Sequence, residues 1–142
     1  MDRYNREGYP DPTAYQALSN VEREEKEVKV YFPLVYIASP YAGDTVRNAD
    51  RARGYCRFAV GKGCIPLAPH LHYPQFMDDG DKAQRELGLR FAIILLGKCD
   101  ELWVFGDTVS DGMKREISKA KKRGIPIRYF NGKCEEVTQC EP

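Results

Sequence analysis

One stretch decides the fold: Leu34-Val35-Tyr36-Ile37-Ala38, closed by Ser39-Pro40. A short, continuous apolar run that ends at a turn is typical of a strand whose two faces are both buried. A similar run, Glu101-Leu102-Trp103-Val104-Phe105, predicts a second buried strand, and residues 125–130 predict another. Strands buried on both faces need helices on both sides of the sheet, so these runs predict an α/β protein.

The segments between the apolar runs have the features of helices. Helices are predicted over residues 44–62, 81–98 and 110–124, because each segment begins at a capping residue and the first and third end at glycine. The second helix is apolar enough that much of its circumference should be covered. The positions expected to face the sheet are Ala49, Ala52, Cys56 and Ala59 or Val60 in the first helix and Met113, Ile117 and Ala120 in the third.

The links between strands and helices are short. Residues 64–68 form a weaker strand, which Pro66 places near a sheet edge. Short links require right-handed crossovers and parallel strands. The expected fold is therefore a doubly wound, flavodoxin- or Rossmann-like parallel sheet of four to five strands with flanking helices. Around this domain of residues 31–131 we expect a partly helical arm over residues 1–30, its helix at 12–27, and a polar C-terminal tail over residues 132–142.

The charge of the chain is nearly balanced, with 22 Lys and Arg residues against 21 Asp and Glu residues. Such a chain has no strong field to hold nucleic acid or an anionic membrane surface. Its longest apolar run, residues 91–96, is too short to span a bilayer, and the N-terminus has no signal-peptide pattern. We therefore expect a cytoplasmic protein with neither a nucleic-acid nor a membrane partner.

The five cysteines contain no C-x-x-C pair, and three of them lie in apolar segments. Free, mostly buried thiols in a reducing compartment explain this pattern. A disulfide in the tail, where Cys134 and Cys140 lie, and a Cys/His metal site remain as alternatives.

Three predicted loops meet at the carboxyl edge of the sheet, where ligands bind in parallel α/β folds. They span residues 39–44, 69–79 and 106–112. In the first loop, small residues and a following helix N-terminus allow a ligand close to the backbone, but an ordinary turn capped by Asp44 has the same pattern. The residues at issue in the first loop and helix are Ser39, Pro40, Tyr41, Gly43 and Asn48.

Glu116 is the sharpest candidate for chemistry. A capping-box glutamate after Ser110 would stand at position 113, which is Met113, so Glu116 is not a cap. It borders the buried stripe of its helix near the ligand edge, where general-acid or nucleophilic chemistry would need a carboxylate. The pattern also allows a solvated side chain that pairs with Lys119.

The second loop offers His70 and His72. His70 comes first after the strand and is a candidate substrate contact, whereas His72 is a weaker one. A zinc site is not expected, since no further histidine is present and Cys64 is the only nearby cysteine. Residues that could form a lid over the site are Tyr73, Gln75, Asp78 and Asp79.

With these segments identified, the chain resembles the nucleoside 2-deoxyribosyltransferase-like superfamily, which includes deoxynucleotide N-glycosidases. The resemblance covers residues 34–130 and depends on three motifs. They are Val-Tyr-Ile-Ala-Ser-Pro-Tyr at 35–41, Cys-Asp-Glu-Leu-Trp-Val-Phe-Gly at 99–106, and Ser110-x-Gly112-Met113-x-x-Glu116 with Ala120.

This resemblance implies that Glu116 attacks the anomeric carbon of a (deoxy)ribosyl group and forms a covalent glycosyl-enzyme. It also implies that Ser110, with the backbone N–H groups of Asp111 and Gly112, holds a 5′-phosphate. Transferases carry an aspartate at the position of Ser110, whereas members that act on 5′-monophosphates can carry a serine there. Tyr41 and Asn48 would contact the sugar or base. Ala92 stands where active members have an aspartate that protonates the base, which weakens the expectation of catalysis.

The leading hypothesis is an N-glycosidase or deoxyribosyltransferase-like protein that acts on a (deoxy)nucleoside 5′-monophosphate and needs no metal or redox cofactor. Its main rival is a module that binds a nucleotide or nucleotide signal without cleaving it. A scaffold that uses the charged N-terminal arm is a third hypothesis. Relatives in the superfamily often assemble with subunits that complete the site, so we expect a homo-oligomer.

Overall fold

The computed structural model describes residues 30–138. The predicted N-terminal helix over residues 12–27 lies outside the described residues, as does Cys140 of the tail. The elements below belong to the compact unit that begins at Phe32. The strands are β1 (Leu34–Ala38), β2 (Ile65–Leu67), β3 (Glu101–Phe105), β4 (Ile127–Phe130) and β5 (Glu136–Val137). The helices are α1 (Thr45–Gly61), α2 (Pro69–His72), α3 (Lys82–Leu96) and α4 (Asp111–Arg123), with a 3₁₀ turn at Tyr73–Gln75.

The five strands form one sheet in the order β2-β1-β3-β4-β5. Strands β1 to β4 are parallel, and β5 alone pairs antiparallel, with β4. Tyr36 lies opposite Leu102, which fixes the register of the two central strands. This sheet confirms the expected α/β fold, including the edge position of the strand that contains Pro66.

Both faces of the central strands are buried, as the continuous apolar runs predict. Val35 and Ile37 belong to a core cluster that includes Tyr55 of α1, whereas Tyr36 and Ala38 belong to a cluster with Leu96 of α3 and residues of α4. The first cluster is strongly aromatic: Phe105 stacks on Tyr55 with centroids 4.3 Å apart and on Phe130 at 4.8 Å. Helices therefore cover the two faces separately, which is the doubly wound arrangement.

The predicted helix caps form. Asp44 accepts from Arg47 N at 3.2 Å, Asp81 accepts from Ala83 N at 3.0 Å, and Ser110 Oγ accepts from Met113 N at 3.3 Å. Helix α4 ends at Gly124, whose φ of +69° is a left-handed conformation that glycine adopts without steric cost. One detail differs from expectation, because the sulfur of Met113 lies 3.5 Å from Ser110 N and takes the place of the missing glutamate.

Two expectations from the pattern are wrong, and a third is incomplete. Residues 69–75 are helical rather than loop, because Pro69 at the first position of α2 favours a helix start. The inner face of α1 contains Ala52 and Ala59, as expected, but also Tyr55, which the pattern did not include, while the alternative Val60 is 61% exposed. Helix α3 is less covered than its composition suggests. Among the described residues, Leu87, Phe91 and Ile94 stay exposed on α3.

Candidate functional site

A cavity of about 380 Å³ opens where the segments that follow β1 and β2 meet the start of α4. This volume falls in the usual range for small-molecule sites. Its wall comes from all three predicted edge segments and from one face of α3. The predicted residues that it contains are Ser39, Pro40, Tyr41, His70, Ser110, Asp111, Gly112 and Glu116.

Glu116 projects from the second turn of α4 into this cavity. Its Oε2 atom is sealed from solvent and has no hydrogen-bond partner among the described residues. The carboxyl group hydrogen-bonds to the hydroxyl of Tyr36 on β1. Within residues 30–138 no ion pair joins Glu116 to Lys119, so the solvated-pair interpretation does not describe this side chain.

Burial raises the pKa of Glu116 to about 7, and the hydrogen bond from Tyr36 partly offsets that rise. Burial also raises the pKa of Tyr36, and the neighbouring Glu116 charge adds to the effect. Tyr36 is therefore a neutral donor at neutral pH, while Glu116 is present in both protonation states. A carboxyl group with a raised pKa in a cleft is a common property of functional sites.

His70 of α2 contacts the loop after β1. Its Nε2 atom is 3.0 Å from the hydroxyl of Ser39, and its ring meets the edge of the Tyr41 ring at 6.0 Å. Burial lowers the pKa of His70 to about 4, so the imidazole is neutral at neutral pH. Ser39 is 7% exposed, so the pair forms a fixed polar part of a largely buried wall.

Two predicted contact residues support the loop instead of lining the cavity. The side-chain amide of Asn48 donates to the carbonyl oxygens of Tyr41 and Ala42, both at 3.1 Å. Gly43 has a φ of +95°, which permits the sharp turn into α1. Asn48 and Gly43 thus shape the loop that presents Tyr41, and they are absent from the cavity wall.

The start of α4 forms another part of the wall. Ser110, Asp111 and Gly112 all line the cavity, and the free N–H groups of a first helical turn favour anionic ligands. Ser110 Oγ accepts from Met113 N, which leaves its hydroxyl hydrogen to donate to a ligand. Asp111 is exposed and formally negative, which opposes a phosphate at the same place.

The remaining cavity wall includes residues that the sequence pattern did not predict as site residues. Arg85, Gln84 and Leu89 come from α3, and Tyr36 comes from the interior of β1. Side chains alternate between the two faces of a strand, which places Tyr36 on the same face as Ala38. This alternation could have identified Tyr36 as a residue near the site. Ala92 is 9% exposed and also lines the cavity. The position at which the resemblance expects an aspartate is therefore part of the cavity wall.

Other predicted residues are placed as follows. Tyr73, Asp78 and Asp79 line the cavity, whereas Gln75 and His72 are absent from its wall. The ring of His72 contacts that of Phe76, with centroids 5.0 Å apart. Asp100 has a structural contact, since its Oδ2 accepts from Leu34 N at 2.8 Å.

The described residues also bear on metal binding and membrane insertion. Within residues 30–138 no group of three or more His, Cys, Asp or Glu side chains is close enough to hold a metal ion. Cys56, Cys64, Cys99 and Cys134 are free thiols. Every helix of this region is too short or too polar to cross a bilayer.

Comparisons with known proteins support the fold. A family model described as a domain of unknown function, DUF7768, matches residues 33–130. No curated protein matches the sequence. Among solved structures, the chain is similar to the 2-deoxyribosyltransferase of the psychrotolerant bacterium Bacillus psychrosaccharolyticus, with 18% identity and a TM-score of 0.55. The match covers 74% of this chain and 77% of that one, and at this identity it supports a distant relationship of fold.

Proposed function

We propose that this chain, which belongs to the DUF7768 family, binds a (deoxy)nucleoside 5′-monophosphate or related nucleotide and cleaves or transfers its N-glycosidic bond, with Glu116 as nucleophile. The main support for this proposal is the placement of the carboxyl group of Glu116. It is buried in the cavity, held by Tyr36, and has one oxygen without a partner among the described residues. A retaining glycoside transfer needs a carboxylate at the substrate cavity to attack the anomeric carbon, and Glu116 lines this cavity.

The geometry supports an assignment of roles. The Tyr36 hydroxyl orients Glu116, and the loop with Tyr41 forms the wall on the sugar side. Ser110 and the N–H groups of Asp111 and Gly112 would receive the phosphate. After the glycosyl ester forms, water or a second base resolves it and regenerates the carboxylate. The fold of a solved 2-deoxyribosyltransferase is consistent with this chemistry.

A nucleotide-binding module is the second candidate function. Ala92 supports it, because a methyl group occupies a wall position where a carboxylic acid could protonate a departing base. His70 supports it as well, since its lowered pKa leaves it neutral and a weak proton source at neutral pH. In this case the ligand would bind and leave intact.

Base release from a panel of nucleosides and nucleotides distinguishes the two functions. We expect chromatography to show free base with the wild-type protein and none with Glu116→Gln. Glu86→Gln is the matched control, since Glu86 is an exposed residue of α3 that pairs with Arg115 at 3.7 Å and lies outside the cavity wall. Equal release of base by wild type and Glu116→Gln would refute the role of Glu116 as nucleophile. Thermal stabilisation by a nucleotide that is recovered intact would favour the binding module.

A further inference from the structure

The charges around the cavity are unequal in sign. Among the described residues that line it, four are acidic and Arg85 is the single basic one. Asp78, Asp79 and Asp111 are exposed at the rim, whereas the Glu116 carboxyl group lies inside. Such a cavity attracts positive charge to its interior, where field lines from the unscreened carboxylate are concentrated.

The cavity also has few sources of a proton for a departing base. Tyr36 already donates to Glu116, and burial raises the pKa of that hydroxyl. His70 shares a hydrogen bond with Ser39, and burial lowers its pKa to about 4. The rim carboxyls carry formal negative charge and are open to solvent. A neutral base departs as an anion unless it is protonated, so this wall is poorly suited to release one.

We propose that the pocket selects an N-glycoside whose base carries a positive charge, such as a pyridinium or an N7-alkylated purine, and releases that base as a neutral molecule. This inference rests on the proposed function and specifies its substrate class. Tyr41, Tyr73 and His70 in the wall fit it, because aromatic rings attract a cation and accept a flat ring against them.

The chemical step balances without a proton donor. A carboxylate oxygen of Glu116 that faces the cavity attacks C1′, and the C1′–N⁺ bond breaks. Its electron pair passes to the nitrogen and neutralises the base, which departs unchanged in its proton count. Water then attacks C1′ of the glycosyl ester, gives one proton to solvent, and the C1′–O bond to Glu116 breaks to restore the carboxylate.

A cationic ligand also prepares the nucleophile. Tyr36 of β1 acts directly on Glu116. The other titratable or charged groups that line the cavity are Tyr41 after β1, His70 of α2, Tyr73, Asp78 and Asp79 before α3, Arg85 of α3, and Asp111 of α4. A positive charge close to Glu116 favours its ionised form, and by linkage the ionised form binds the cation more tightly. Binding should therefore release a proton from Glu116. An additional negative charge at the same place would have the opposite effect.

Two matched ligand pairs test the selection by titration calorimetry at pH 6.5. The first pair is oxidised and reduced nicotinamide mononucleotide, which differ in the charge of the ring. The second is N7-methylguanosine 5′-monophosphate and guanosine 5′-monophosphate. We expect the cationic member of at least one pair to bind about tenfold more tightly or better, as a charge interaction in a partly desolvated site predicts. Repeating the titration in buffers of different ionisation enthalpy should show proton release.

The same titrations use Glu116→Gln, which keeps the size and the hydrogen-bond acceptor for Tyr36, and Glu86→Gln as the surface control. Loss of both the preference and the proton release in Glu116→Gln alone supports the inference. Equal affinity within both pairs, or no binding of either cation, overturns it.

Cleavage assays on the same ligands separate this inference from the proposed function. Release of nicotinamide or N7-methylguanine, with slow or no release of guanine, supports both. Equal rates for neutral and cationic bases overturn the inference and leave the proposed function in place. Preferential binding of cations that are recovered intact supports cation selection and refutes glycosidic cleavage.

Discussion

Replacing Glu116 by glutamine should stabilise the protein at neutral and higher pH and have little effect in acid. The glutamine cannot ionise, yet its side-chain oxygen still accepts from Tyr36. In the wild-type protein, folding holds the Glu116 carboxyl group in a place where ionisation is disfavoured. The unfolded chain has no such restriction, so ionisation of Glu116 in the unfolded chain lowers the free energy of unfolding.

The magnitude follows from the change in pKa. Below pH 4.5 both states hold the proton, and Glu116 has no effect on the pH dependence. Between pH 4.5 and about 7 the unfolded chain has lost the proton while the folded chain keeps it, so the free energy of unfolding falls as pH rises. The full difference reaches roughly 3 kcal/mol above pH 7, since the pKa moves from 4.5 to about 7 on folding.

Urea denaturation of wild type and Glu116→Gln between pH 5 and pH 8 measures this difference. The stability of the variant relative to wild type should increase with pH and level off above pH 7. Comparison with wild type cancels other titrating groups, and Glu86→Gln, a change at an exposed position, should show no such increase. A difference between Glu116→Gln and wild type that stays constant across the range would refute a buried Glu116 carboxyl group.

Two further predictions concern His70 and the end of α4. His70→Gln should gain stability relative to wild type as pH falls from 7 to 4. The pKa of His70 falls from 6.5 to about 4 on folding, so the unfolded wild-type chain binds the proton first and is favoured in acid. The same denaturation series should show a difference in free energy of unfolding of roughly 3 kcal/mol at the acid end. A flat difference would contradict a buried imidazole. Gly124→Ala should lower the free energy of unfolding by about 1 kcal/mol, since φ is +69° and no atom lies within 4 Å of the added Cβ, which leaves backbone strain as the cost. Thermal melting of this variant beside Gly61→Ala, at a glycine with equal space but no positive φ, checks that cause.

Local chemistry explains why so much of the fold was predictable. β1 and β3 have the predicted limits, because a run of apolar residues is long enough to identify a strand buried on both sides. The starts of α1, α3 and α4 are also as predicted, since a cap depends on residues two or three positions apart.

Short elements were harder to predict, because their stability comes from distant partners. β5 has two residues and depends on contacts with β4, including two hydrogen bonds between Arg128 and Glu136 at 2.8 and 2.9 Å. The helical start at Pro69 had a usable signal in the proline itself, which the loop composition masked.

The sequence by itself determined the strands, the caps and the edge at which a site could form, because each depends on neighbouring residues. The sequence pattern also placed Glu116 near that edge, but it left open whether water or protein would surround the carboxylate. Only the tertiary structure decided this, by packing α4 against the face of the sheet that carries Tyr36. Desolvation depends on every atom around a group, and the cavity that Glu116 lines is built from segments as far apart as residues 36, 92 and 113.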